Sequence, residues 1–267
     1  MNSEIEALDE NNLEEVLGIL SKIPLETLTL LADSTQLSDW CDVRILREGG
    51  KIEGIFSLYR DLDFLAGAFW CDSTGDSTAR LKILIDDYGD ELRDVEVVFI
   101  ATEQQLECLK KISKSVNAIP ERQMNAGRTT ELVGWGDGTP EKLTKKDSEE
   151  LRTLYKLSGT PAWTPNALDL GPFYGIRNSE GKIVSVAGVH YLTPCCAEIG
   201  NIATHPEYRK KGFASRCTIA VAEDLFEQVP LVVIHFFEDN TPAQRLYERM
   251  GFEYTEVDPI YFVKAIL

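Results

Sequence analysis

Apolar and polar positions along this chain run through the same order of patterns twice. In the first round, residues 8–20 carry Leu13, Val16, Leu17 and Leu20 at helical spacing, with Asp9 placed to cap them. Residues 25–32 predict a second short helix. Residues 42–46 and 51–59 read as a hairpin around Gly49-Gly50, and 64–71 as a further buried strand. A polar loop at 72–78 leads into a helix reaching about Tyr88. Residues 95–101 then predict a strand of continuous apolar character, 102–112 a helix, and 121–133 one or two strands.

The pattern then starts again. Leu143-Thr144 with Asp147-Ser-Glu-Glu-Leu151 echoes Leu8-Asp9 with Asn12-Leu-Glu-Glu-Val16, and both read as capped helix starts. Residues 173–177 and 182–191 form a hairpin around Glu180-Gly181, and Gly181-Lys182-Ile183 echoes Gly50-Lys51-Ile52. The two echoes lie 135 and 131 residues apart, so their registers nearly agree. An internal duplication follows: two domains, 1–135 and 136–267, joined by Gly134-Trp-Gly-Asp-Gly-Thr-Pro140, which has linker chemistry.

The second round carries the chemistry. Residues 197–204 predict a strand leaving a buried sheet, which His205-Pro206 ends. Arg209-Lys210-Lys211-Gly212-Phe213-Ala214 then opens a helix whose apolar face is Phe213, Cys217, Ala220, Val221, Leu225 and Phe226. A turn with small residues feeding a helix N-terminus presents free N–H groups and a positive dipole end, which is an anion site. Three adjacent cations reinforce it. The first round has the acidic loop Asp72-Ser-Thr-Gly-Asp76 at this place, which would repel a pyrophosphate. It also lacks any counterpart of Asn240-Thr-Pro-Ala-Gln-Arg-Leu-Tyr-Glu-Arg-Met-Gly-Phe252.

Composition narrows the class. The chain has 267 residues, 43% of them hydrophobic, enough for a sizeable core. No run approaches the roughly 18 apolar residues of a membrane span. The acidic N-terminus has no signal-peptide pattern, so the expected place is the cytoplasm, with no membrane partner. A net charge of −17 argues against a nucleic-acid surface. The six cysteines form no C-x-x-C pair and are read as reduced core or strand residues, with no metal expected.

Arg209-x-x-Gly212-x-Ala214 resembles the Arg/Gln-x-x-Gly-x-Gly/Ala signature of the GNAT acyltransferases, which use acyl-coenzyme A. Asn240-x-x-Ala243-x-x-Leu246-Tyr247-Glu248-x-x-Gly251-Phe252 is similar to that family's distal helix and the turn into its next strand. The resemblance covers roughly residues 140–267, and extends to the catalytic half of the glycine N-acyltransferase-like branch. It implies an α/β chain of two tandem GNAT-like domains, each a mixed, mostly antiparallel sheet flanked by helices, the first degenerate. It implies acetyl-CoA, or another acyl-CoA, as co-substrate and a small-molecule or peptide amine as acceptor, in a monomer or homodimer. The N–H groups of Lys211, Gly212, Phe213, Ala214 and Ser215, with Arg209 and Lys210, would hold the cofactor phosphates. Pantetheine would lie along Ile202, Ala203 and Thr204, with an N–H near Ile202 polarising the carbonyl. Asn240 and Ala243 match cofactor contacts, though Asn240 serves equally as a helix cap.

By the same resemblance Tyr247 would protonate the leaving thiolate, and Glu198, 14 residues before Gly212, would deprotonate the amine. A strand this apolar has little reason to bury a carboxylate unless it is paired or functional. His190 is a rival base on the neighbouring strand, its ordinary pKa of about 6.5 suiting the task; His205 and His235 receive no role. Acceptor contacts are expected from residues 158–165 and from a last hairpin at 254–261; Trp163 could wall the pocket, but reads better as a buried anchor of its loop. A module that binds acyl-CoA without turnover is the rival function.

Overall fold

The computed structural model describes residues 3–159 and 166–267, which divide into two compact units. The first comprises Met1–Arg122 together with Glu256–Leu267, the second Gln123–Thr255. The division therefore falls before the glycine-rich linker expected to mark it, and the last twelve residues return to the first unit.

The first unit runs β1 (Ser3–Ala7), α1 (Leu13–Leu20), α2 (Pro24–Asp33), β2 (Cys41–Glu48), β3 (Lys51–Tyr59), β4 (Leu65–Cys71), α3 (Ser77–Asp86), β5 (Glu96–Thr102), α4 (Glu103–Ile112) and the start of β6 (Ser115–Gly127). The second runs from the end of β6 through β7 (Glu141–Lys142), α5 (Ser148–Ser158), α6 (Ala167–Leu170), β8 (Phe173–Arg177), β9 (Ile183–Leu192), β10 (Ala197–Thr204), α7 (Phe213–Phe226), β11 (Leu231–Phe237), α8 (Thr241–Met250) and β12 (Glu253–Tyr254). The closing strand, β13 (Ile260–Ile266), pairs antiparallel with β5 and with residues 115–121 of β6, inside the first unit. It makes no hairpin with β12, which pairs with Met124 and Asn125 instead. The hairpin expected at 254–261 is thus absent.

Each unit is a mixed sheet in which a parallel pair stands among antiparallel ones. In the first unit β4 and β5 run parallel, joined by α3; in the second β10 and β11 run parallel, joined by α7. Parallel neighbours need a crossover helix, which is why a helix follows each exit strand. The helix buries one face: Leu81 and Leu84 of α3 pack with Phe56, Val97 and Phe99, while Cys217, Val221 and Leu225 of α7 pack with Val186, Ile199 and Val232. Truncating such a fully buried side chain as Leu225 to Ala costs about 2–5 kcal/mol.

Two local readings change. The helix expected at 8–20 starts only at Leu13, preceded by β1, an edge strand pairing with β2 alone. Asp9 holds the intervening turn through the N–H groups of Asn11 and Asn12, leaving Asn12 at the helix start. The strand expected at 121–133 is one strand starting six residues earlier.

Candidate active site

The site grows from how β10 ends. It pairs with β11 at two positions only, Ala197 with Val232 and Glu198 with Val233. Past Glu198 the two strands part, and the edge of β10 toward β11 has no ladder. On the other edge the register with β9 jumps from Gly200–Gly188 to Ala203–Val186, so Asn201 and Ile202 stand opposite one residue. Asn201 takes a left-handed conformation, φ 51°. This bulge is pinned twice: the Tyr155 hydroxyl donates to the Asn201 carbonyl at 2.7 Å, and the Asn201 amide to the Val189 carbonyl at 3.2 Å. Ile202, Ala203 and Thr204 thus present an unladdered backbone edge, the kind to which an extended ligand adds.

That edge leads to the basic loop. Among the described residues no acceptor meets the backbone N–H groups of Lys211, Gly212, Phe213 and Ala214. Gly212 is the N-cap of α7 and offers no side chain to do so. The cations are used unequally. Arg209 folds back to donate to the Thr204 carbonyl at 3.2 Å, and Lys211 Nζ sits 4.6 Å above the Tyr208 ring. Lys210, at φ 64°, has no partner among the described residues.

Two of the residues expected at the phosphates have fold duties. Gly212 has φ +81°, and a Cβ there would stand 2.3 Å from the Trp135 carbonyl oxygen. The Trp135 backbone by itself demands that this position be bare. Ser215 is fully buried; its hydroxyl meets the Gly212 carbonyl at 2.7 Å and the Trp135 backbone at 3.2 Å. Asn240 accepts from the Ala243 N–H at 3.3 Å, a helix cap, and Ala243 lies in the first turn of α8.

Glu198 is buried where β10 and β11 part, its side chain 7% exposed. Its Oε1 lies 3.3 Å from His190 Nδ1 and 3.2 Å from His235 Nδ1. Burial pushes its carboxyl up, but the two histidines outweigh that and hold it well below the usual carboxylate range. His235 Nε2 in turn meets Gln123 Nε2 at 2.9 Å, and Gln123 Oε1 accepts from the Thr255 hydroxyl at 2.7 Å. His235, Gln123 and Thr255 are the partners the sequence reading missed. A faint signal was present: two of only three histidines fall on the strands flanking Glu198.

Tyr247 is buried in α8 between Phe236 and Phe252, with ring centroids 5.5 and 6.1 Å away. Burial pushes its phenol up, so it keeps its proton at neutral pH. Among the described residues none hydrogen-bonds its hydroxyl. Trp163 lies outside the described residues. Among the described residues no His/Cys/Asp/Glu group could hold a metal ion, and no helix is long and apolar enough to cross a membrane.

Solved structures share this fold along nearly the whole chain. A Drosophila protein matches with a TM-score of 0.78 at 12% identity, covering 99% of both chains. A tandem GNAT protein from the clavulanic acid biosynthesis pathway gives 0.66 at 14% identity, over 99% of this chain and 98% of its own. A GNAT-family protein from Novosphingobium aromaticivorans gives 0.64 at 20% identity, over 91% and 99%. These likenesses establish the fold: two tandem GNAT-like units. Residues 130–252 match the model of the acetyltransferase (GNAT) family. No curated protein matches the chain.

Proposed function

We propose that the second unit transfers an acyl group, most simply acetyl, from coenzyme A to a primary amine in one ternary complex. The observation that carries this reading is the continuity of the unladdered edge of β10 with the four unsatisfied N–H groups opening α7. An orphaned donor set at a helix N-terminus suits a pyrophosphate, and a bare strand edge suits the amides of pantetheine.

The residues then divide the work. Lys211 to Ser215 hold the phosphates through backbone N–H groups, with Lys210 adding free charge, while the Ser215 hydroxyl fixes the loop on Trp135. Ile202 to Thr204 line pantetheine, and the bulged N–H at Ile202 faces the developing oxyanion. Ala243 keeps the first turn of α8 slim beside the cofactor. The cluster around Glu198 receives the ammonium proton. The freed nitrogen attacks the thioester carbonyl, a C–N bond forms and the C–S bond breaks. Tyr247 gives its proton to the departing thiolate and is restored by the proton the amide nitrogen sheds. Net, an ammonium and a thioester become an amide, a thiol and one released proton.

Calorimetry with acetyl-CoA tests the reading. A change at Gly212 would report on folding, so the informative variant is Lys210→Glu, in an exposed loop position. Its acetyl-CoA Kd should rise about tenfold or more, since a charge-assisted contact contributes about 1.5–3 kcal/mol. Wild type that binds neither acetyl-CoA nor longer acyl donors overturns the reading. Turnover with an amine separates an enzyme from a module that only binds. The likeness to the glycine N-acyltransferase-like branch rests on sequence and makes glycine one amine to try.

A further inference from the structure

Resting on that reading, we propose that His190, not Glu198, takes the proton from the acceptor amine, and that Glu198 is the positioning residue that aims it. Three observations carry this. The first is a bulge. Tyr191 pairs with Glu198 and Val189 with Ile199, so His190 is the extra residue between them, unpaired and turned by the local kink. Its side chain is 44% exposed, whereas that of Glu198 is 7% exposed beneath it. Gly200 leaves it room: a Cβ there would come within 3.0 Å of the His190 Cβ. Tyr191 backs the ring, stacked at 4.3 Å.

The second observation is the tautomer that the hydrogen bonds select. Glu198 Oε1 accepts from His190 Nδ1–H, which leaves Nε2 of a neutral ring with its lone pair outward. That is the arrangement of a base held from behind by a carboxylate. When Nε2 gains a proton, the same carboxylate faces the new imidazolium.

The third observation excludes the other histidine. The Thr255 hydroxyl donates to Gln123 Oε1, which turns the Gln123 amide nitrogen toward His235 Nε2. That contact occupies His235 Nε2, and its Nδ1 is directed at Glu198, so both ring nitrogens are engaged within the cluster and its side chain is only 11% exposed. Cys196 also senses Glu198, and the neighbouring Cys195 thiol and burial hold its thiol protonated. Of the groups packed here, His190 alone combines a free lone pair with access to a ligand.

The test uses the full chain with acetyl-CoA and four amines: glycine, ethanolamine, spermidine and a lysine peptide. His190→Gln should lower kcat/KM for the best amine by about 100-fold or more, the scale of a lost general base. Its acetyl-CoA Kd should stay within about twofold of wild type, and added imidazole should restore part of the rate to His190→Gly. Glu198→Gln should fold and lose rate in kcat rather than KM. In nitrogen-15 spectra it should also shift the His190 ring signals away from the Nδ1–H tautomer. Wild-type turnover that survives His190→Gln, or a wild-type His190 protonated at Nε2 alone, overturns the assignment and leaves the acyltransferase reading standing. Failure of wild type on every amine removes both.

Discussion

The two units place a parallel strand pair, a loop and two helices in the same order, yet their notches are finished differently. In the second, β10 and β11 part after Glu198 and none of the described residues pairs with the freed edge. In the first, β4 and β5 stay in register from Leu65–Val97 to Gly67–Phe99 and then part. There Gln105 reaches in: its amide donates to the Phe69 carbonyl at 2.6 Å while its oxygen accepts from the Thr102 N–H at 2.8 Å. What is left is a cavity of about 260 Å³. The loops diverge likewise. Asp76 caps α3 through the Ala79 N–H at 3.0 Å, the job Gly212 leaves undone on α7. The Arg80 guanidinium lies beneath that loop, bound to the Asp72 carbonyl at 2.8 Å, Glu48 at 3.0 Å and Glu53 at 2.8 Å. The first loop caps its helix with its own side chain and its notch is filled by Gln105; the second leaves the N–H groups opening α7 and the edge of β10 without partners among the described residues, and that is where we place the site. Fold is shared, and function sits in the bonds not made.

The sharpest way to break this comparison is through the two loop glycines. Gly212→Ala forces a side chain at φ +81° onto the Trp135 backbone, which cannot yield. Gly75→Ala meets only the far end of Arg80, at 2.7–2.9 Å, which can swing aside. Denaturant unfolding should show a loss of about 3 kcal/mol or more for the first and about 1 kcal/mol or less for the second. Equal losses would mean the two loops are built alike.

Asp33 in the first unit and Glu198 in the second are both buried carboxylates, and these two should respond to pH in opposite senses. Asp33 is buried, and burial lifts it to about 6 despite hydrogen bonds from Ser57 and Cys41. A folded pKa above the unfolded one means that its contribution is fully present below about pH 4 and is lost as pH rises to about 6. Glu198 is depressed, so its contribution is present above about pH 4.3 and is lost only as pH falls below that. Hydrogen exchange of β3 amides should slow by the equivalent of about 2 kcal/mol between pH 6.5 and 4, and Asp33→Asn should flatten that slope. A slope that persists in Asp33→Asn would place the titration elsewhere.

A third measurement transplants the plug. Gln105 and Ala243 hold the same place, three residues past the N-caps Thr102 and Asn240. Ala243→Gln should carry an amide into the second notch and weaken acetyl-CoA binding about tenfold, or about 1.4 kcal/mol. Unchanged affinity would show that the first turn of α8 does not border the cofactor.

Most of the architecture was legible because it rests on local periodicity. Helical spacing in α7 and α8, the apolar strands and the hairpin glycines all declare themselves within a dozen residues. What stayed hidden depends on distant partners. β13 is apolar enough for either unit, and nothing local says that it pairs with β5. The requirement for Gly212 comes from Trp135, 77 positions earlier. Glu198 could be singled out as a carboxylate in an apolar strand. That it is matched by two histidines, one delivered by a bulge, needed the register of three strands.

The smallest effect resolves the two roles left open for Asn240. Thr102 and Asn240 start equivalent helices, but Thr102 belongs to a full capping box with Gln105, while Asn240 caps alone because Ala243 has nothing to return. Asn240→Ala should therefore cost about 1 kcal/mol of stability. Asn240→Ser restores a capping oxygen on a shorter side chain and should recover most of that loss. If its acetyl-CoA affinity also matches wild type, Asn240 is a cap and no more. If stability returns while affinity stays several-fold weaker, the Asn240 amide touches the cofactor, a contact for which Thr102, spent on its box in a plugged notch, has no use.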